Sequence, residues 1–225
     1  MAGLIKHFFK KTLRPRGQRA FISSVSVKED CKILDVGCGK NSVFLKSVKP
    51  EASIYGVDVS FFEQTSQSKA LYEKLIICES KDFAQAIRDI PQDFHVVISN
   101  HNIEHTADPV STFRAMVDRT ALGGHLFIAT PSLASVDFPS RGGGLNFFDD
   151  ATHQRPVDLM ELFSSESHRL ECTYYAKSAK PFFWWFFGWA QEHTSKRKNS
   201  IRLGTWDYHG FEQIMWLQKE RQNGS

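Results

Sequence analysis

The sequence predicts an α/β chain built on a doubly wound, mostly parallel sheet with helices on both faces. Three observations carry this. Five short apolar runs rich in Val and Ile recur from residue 31 onward: CKILDVG, SIYGVDVS, LIICES, FHVVISN and GGHLFIATPS. Segments with helix start and stop signals separate them. A glycine-rich turn follows the first run directly. Strands covered on both faces read as continuous apolar runs, and strands alternating with helices make βαβ units.

The elements follow in order. Leu4, Ile5, Phe8, Phe9 and Leu13 fall at helical spacing with Lys6, Lys10 and Lys11 between them, which predicts a basic amphipathic helix ended by Pro15 and Gly17. After the first strand the glycine turn opens a helix. Ser60 is the expected cap of a helix through Ala70, Leu71 and Tyr72, and Asp82 of one through FAQAIRDI. Asp108-Pro109 starts VSTFRAMVDRT, which Gly123 and Gly124 close. Residues 132–152, with Gly142–Gly144, read as a long loop. Arg155 and Pro156 open a helix through Leu162 and Phe163. LECTYYAKSA is a strand, PFFWWFFGWA a dense aromatic cluster followed by a basic loop, and FEQIMWLQK a last strand. The expected divisions are a lead-in over 1–29, a core over 30–178, an aromatic and basic insertion over 179–209, and the closing strand over 210–225.

Composition sets limits. With 225 residues, 41% hydrophobic and 24% charged, the chain can bury a core, and wholesale disorder is excluded. No apolar run reaches the ~18 residues needed to span a bilayer, and no signal peptide is visible. Cys31, Cys38, Cys78 and Cys172 show no paired spacing, so reduced thiols in a cytoplasmic protein are expected. The net charge of +3 hides a split. Residues 1–20 carry six bases and residues 196–202 four, with no acid in either; the remaining 18 bases face 25 acids. The body is acidic, and two basic patches are added to it.

The most informative segment is Ile33-Leu34-Asp35-Val36-Gly37-Cys38-Gly39-Lys40-Asn41. Gly37 and Gly39 let backbone pass close under a ligand. Asp58 ends the next apolar run, where a carboxylate binds both hydroxyls of a ribose. A nicotinamide dinucleotide would want a third glycine where Ser42 stands, and Asp35 beside the turn would repel its pyrophosphate. S-adenosylmethionine (SAM) carries a sulfonium, an ammonium and no phosphate, and suits an acidic rim. A nicotinamide-dependent oxidoreductase is therefore the weaker reading, and a non-catalytic binding module the third.

LDVGCG, GVDVS, NHNIEHTADP and GGHLFIATPS together resemble the class I SAM-dependent methyltransferases of the small-molecule and glycan-modifying kind, over roughly residues 30–175. The resemblance implies a Rossmann-like methyltransferase fold of seven strands in the order 3-2-1-4-5-7-6, the last-numbered strand antiparallel. It implies that Asp35, Gly37 and Gly39 line the methionine part of SAM and that Asp58 holds the ribose. Asp82 and Phe83 would flank the adenine, and Asn100 would lie under the sulfonium. The function implied is methyl transfer, with O-methylation of a sugar, glycan or lipid-linked small molecule expected.

A hydroxyl acceptor needs a base, and histidine is the usual one. The candidates are His153 and His101, ranked close together, then His105; Glu104 is placed to orient an imidazole. Asp149 to Pro156 holds a D-x-T-H-x-R-P stretch, which in the resembling glycan enzymes edges the acceptor pocket, so His153 and Arg155 are the expected acceptor contacts, Arg155 gripping an anion. Asp149, Asp150 and His153 lack further ligand spacing, and no metal is expected. Phe182 to Trp189 leave core, lid, dimer surface and headgroup layer open. With the basic patches they make peripheral contact with an anionic membrane an expectation. No module for nucleic acid is visible, and a homo-oligomer stays open.

Overall fold

A computed structural model describes residues 17–26, 30–61, 64–178 and 180–220. The basic helix expected before Pro15 lies outside the described residues. The chain runs α1 (Gln18–Ser24), β1 (Lys32–Val36), α2 (Ser42–Val48), β2 (Ser53–Asp58), α3 (Ser66–Ala70), β3 (Lys74–Ile77), α4 (Phe83–Arg88), β4 (Phe94–Asn100), α5 (Pro109–Arg119), β5 (Thr120–Pro131), α6 (Leu159–Ser165), β6 (Leu170–Ala176), α7 (Phe183–Lys198), α8 (Thr205–His209) and β7 (Glu212–Lys219).

The seven strands form one sheet in the order β3-β2-β1-β4-β5-β7-β6. β1 to β5 pair in parallel, and β7 runs antiparallel between β5 and β6. This is the order the resemblance implied. Alternate residues of each strand enter two cores. Leu34, Val36, Val97, Leu126 and Ile128 pack under α4, α5 and α6. Ile33, Val96, Ile98, Phe127 and Ala129 pack on the other face with Phe21 and Ile22 of α1 and Leu45 of α2. Burial on both faces is why these strands read as unbroken apolar runs.

Several local expectations are corrected. α3 is capped by Thr65, whose side chain accepts from the Ser68 N–H, and not by Ser60. α6 is opened by Asp158, which accepts from the Met160 N–H, and not by Arg155-Pro156. Asp82 precedes α4 but makes no side-chain cap bond. α5 ends at Thr120, and Gly123 and Gly124 sit inside β5. The pairing with β4 jumps there from Thr120 to His125, so the glycines belong to an outward bulge. The aromatic run and the basic segment after it are one continuous helix, α7.

Candidate functional site

In open α/β sheets ligands sit at the carboxyl ends of the strands where strand order reverses, here between β1 and β4. The first wall is the turn after β1. Gly37 has φ +74° and Gly39 φ +42°, a region that favours glycine. The Gly39 N–H donates to Asp58 Oδ2 at 2.7 Å, and the Val59 N–H to Asp58 Oδ1 at 2.7 Å. Asp58 thus braces the turn while remaining part-exposed at the end of β2. Asp35 is buried at the end of β1, and its Oδ2 accepts from Asn41 Nδ2 at 2.9 Å. Burial pushes its carboxyl up to about 7; the Asn41 bond pulls down, and the Asp58 charge adds to the rise. Two acids therefore share this end of the crevice.

The second wall follows β4. Asn100 is exposed at the strand's end. His101 has φ +51°, strained for a residue with a Cβ. Its Nε2 lies 3.0 Å from Glu212 Oε1, and its Nδ1 lies 3.5 Å from Glu104 Oε1. Burial opposes charge on this ring, but the two carboxylates outweigh burial and hold the imidazole up to about 10. Such a ring favours its protonated form, which weighs against His101 as a base and in favour of His105 and His153.

Glu104 is fully buried. Its Oε2 accepts from Thr130 Oγ1 at 2.9 Å, while Oε1 has no hydrogen bond. His105 and His153 face each other with ring centroids 4.7 Å apart, and His153 also lies on Phe147 at 4.4 Å.

Their tautomers follow from their partners. Thr152 Oγ1 lies 2.6 Å from Asp150 Oδ1 and 2.9 Å from His105 Nδ1. A carboxylate only accepts, so the single Thr152 proton goes to Asp150. His105 Nδ1–H must then donate to Thr152. His153 Nδ1 faces the carbonyl oxygen of Phe147, so it too carries its proton there. In the neutral ring both histidines are left with a bare lone pair on Nε2, as a proton acceptor or a metal ligand requires.

The loop that delivers His153 is pinned. Asp149 Oδ2 accepts from the N–H groups of Arg141, Leu145 and Asn146 at 2.9–3.0 Å. Burial opposes ionisation, but these bonds and that from Ser140 hold its carboxyl below the usual range. Asp149 is thereby consumed as a loop brace. Buried Arg141 donates to Glu192 Oε2 and Ser195 Oγ of α7, both at 2.8 Å. Arg155 is exposed, and its guanidinium donates to the Ala107 carbonyl, which leaves its other donors available.

The crevice brings together Asp35, Gly37, Gly39 and Asp58 on one side, and His105, His153 and Glu104 on the other. A Cβ at Gly37 would stand 2.0 Å from Asn102 Cγ, so the two walls touch at Gly37 and Asn102. Asp82 is exposed beyond β3, and the neighbouring Phe83 ring is buried in the core at the start of α4. Sequence reasoning missed Asn102, Thr152, Thr130, Glu212 and the Arg141–Glu192 pair. Each depends on a contact between segments distant in sequence; Asn102, Thr130 and Thr152 stand inside quoted motifs, but the motifs do not say what their side chains touch.

The aromatic run is not core. Phe182, Phe183, Trp185, Phe186, Phe187 and Trp189 are each 37–61% exposed, and Gly188 and Ser195 are the buried residues of α7. Among the described residues, no helix is long and apolar enough to cross a membrane.

Comparison with known proteins adds three findings. A family model described as a methyltransferase domain matches residues 2–174. A ubiquinone biosynthesis O-methyltransferase of Aliivibrio fischeri (strain MJ11) is 30% identical over 102 residues, which is 44% of this chain and 43% of the relative. The match thus spans less than half the length of that relative. Among solved structures, the plantazolicin methyltransferase BpumL in complex with SAH matches with a TM-score of 0.59 at 13% identity, covering 95% of this chain and 85% of that one. The N-methyltransferase NodS from Bradyrhizobium japonicum, in complex with S-adenosyl-L-homocysteine (SAH), matches at 0.53 and 12%, covering 89% and 82%. At such identities these two likenesses bear on fold.

Proposed function

The chain belongs to the methyltransferase domain family, and from that premise we propose a SAM-dependent O-methyltransferase acting on a hydroxyl of a sugar, glycan or lipid-linked small molecule. The observation that carries the acceptor class is the His105–His153 pair, with both Nε2 lone pairs bare beside buried Glu104. A hydroxyl must lose its proton as it attacks, and an amine attacking through its own lone pair does not need such a group. The acceptor oxygen gains the methyl carbon, the carbon–sulfur pair goes to sulfur, and the sulfonium becomes the neutral thioether of SAH. Asp35, Gly37 and Gly39 take the methionine part, Asp58 the ribose and Asp82 the adenine edge, with Asn100 under the sulfonium. His153 faces the acceptor, and Arg155 contacts an anionic group on it.

The test begins with the cofactor. SAH is expected to bind at micromolar concentration and to raise the melting temperature, whereas NAD does neither. Binding is expected to depend on pH in a stated direction. Asp35 holds its proton up to about 7 in the free protein, and the ammonium of the ligand favours the ionised carboxylate. Affinity therefore rises as pH climbs through 5 to 7, by up to about tenfold per unit below that value. For the free fold the same shift has the opposite effect. The folded state keeps a proton that the unfolded chain has lost between about 4 and 7, so stability falls as pH rises across that window. Calorimetric titration at pH 5.5 and 8, on wild type and Asp35→Asn, checks the first claim. A wild-type affinity flat with pH would remove Asp35 from the ligand. A screen of candidate hydroxyl acceptors with labelled SAM names the substrate.

The exposed rings of α7 end in a basic turn of Lys196, Arg197 and Lys198. Amphipathic aromatic and basic groups in one helix favour an anionic headgroup layer, and this suits a lipid-linked acceptor. Vesicles with anionic lipid are expected to float the protein at low salt and release it at high salt. A Trp185→Ser, Phe186→Ser double variant is expected to stay in the soluble fraction. Equal recovery with neutral and anionic vesicles would sink the idea.

A further inference from the structure

We propose that Glu104, His105 and His153 hold a divalent first-row transition-metal ion, with coordination positions left open toward the acceptor. One donor atom of each residue lies within 4.8 Å of the other two. Ligands on one ion at ~2.1 Å stand nearer one another than that, so closing the site asks for roughly an ångström of side-chain rotation. Three independent features support it. Glu104 is fully buried, yet its Oε1 makes no hydrogen bond. Its charged neighbour is the His101 ring at 3.5 Å, outside hydrogen-bonding geometry, and a closer cation would complete the buried oxygen. Both histidines have Nδ1 committed to an oxygen partner, Thr152 for His105 and the Phe147 carbonyl for His153. That pattern fixes the rings and turns Nε2 outward, as outer partners of metal-bound imidazoles do. Glu104 is itself braced through Oε2 by Thr130.

The donor set selects the ion. Two imidazoles and one carboxylate suit zinc, iron or a neighbouring ion, whereas magnesium prefers oxygen and water. Three protein ligands leave positions for an outside oxygen, which marks a working site more than a structural one. The cation facing Glu104 is His101, 3.5 Å from Oε1 and tied to Glu212 on its other side. Asp150, 3.9 Å from His153 Nε2, adds negative charge at the mouth. The use of the ion rests on the hydroxyl-methylating reading: with both Nε2 lone pairs taken up, the histidines serve the acceptor by holding the ion instead of acting as bases, and the ion draws charge from the acceptor oxygen so that its proton leaves for solvent as the oxygen–carbon bond forms. Its binding does not depend on that reading.

The experiment uses the full chain without a tag, stripped with chelator, and titrated calorimetrically with Zn²⁺ and Mn²⁺ alone. One equivalent of at least one ion is expected to bind. His105→Ala, His153→Ala and Glu104→Gln are each expected to weaken it at least tenfold. SAH affinity, measured on each variant, reports that the fold survives. Nitrogen-15 spectra of the wild type test the same claim without any variant, since Nε2 of two histidines must move when Zn²⁺ is added. Absence of saturable binding, equal binding by all three variants, or no movement of two Nε2 signals would overturn the site. Failure of SAH to bind would instead strike the methyltransferase reading and leave the metal result standing.

Discussion

Asp58→Ala is expected to weaken SAH binding by a hundredfold or more, and to lower the melting temperature of the free protein as well, since the Gly39 and Val59 N–H groups lose their acceptor. The carboxylate has two tasks at one place. Its oxygens accept from the N–H groups of Gly39 and Val59, each at 2.7 Å, which sets the turn. It stays part-exposed at the end of β2, where two ribose hydroxyls would donate to its remaining lone pairs. Two charge-assisted hydrogen bonds are worth roughly 1.5–3 kcal/mol each, and their sum already exceeds the ~2.7 kcal/mol of a hundredfold loss. Gly37→Val is expected to do worse. A branched side chain resists φ +74°, and its Cβ would overlap Asn102, 2.0 Å away. Asn102 leads directly into the turn bearing Glu104 and His105, so this variant disturbs both walls at once. Calorimetry with SAH on both variants is the check. Asp58→Ala binding at wild-type strength would exclude Asp58 from the ribose.

The residues behind that prediction were legible because they are local. Asp35, Gly37 and Gly39 fall within five positions, on a strand and turn whose geometry is written in the apolar run and the glycines. The strand order needed the resemblance, because a run of Val and Ile does not say which neighbour it pairs with. Residues 181–198 were legible in composition but not in place. Seven aromatic rings left core, lid, dimer surface and headgroup layer open; the helix packs through Gly188, where a Cβ would meet the Gly204 carbonyl at 2.0 Å, and leaves most of its rings outside. His101 shows the limit most clearly. Its motif put it beside the sulfonium as a base. The carboxylate that weighs against that role, Glu212, lies 111 residues away on β7. No spacing rule reaches that far. The bare Nε2 atoms of His105 and His153 likewise depend on Thr152 and on the Phe147 carbonyl, partners visible only once the loop is folded.

His153→Ala is expected to lower kcat by 10²–10⁴-fold at saturating SAM, about 3–5 kcal/mol on the barrier, with SAH affinity held. The proton leaves the acceptor oxygen on one side of the transferred methyl, while the contacts of SAM lie on the other, so the two quantities separate. His105→Ala is expected to fall in the same range, because its lone pair belongs to the same cluster. Thr152→Val tests the tautomer argument. It removes the hydroxyl that links His105 Nδ1 to Asp150. With Nδ1 released, the ring can place its proton on Nε2, and a loss of about tenfold is expected from that misplaced hydrogen alone. His101→Gln provides the contrast. Its ring is held protonated between Glu104 and Glu212, so any loss reflects a displaced Glu104 and stays below that of His153→Ala. A labelled-SAM assay on the acceptor found by screening measures all four. If His153→Ala and His105→Ala both turn over near the wild-type rate, the cluster does not touch the acceptor's proton. Transfer to an amine, driven by alignment with the sulfonium alone, then accounts better for the site.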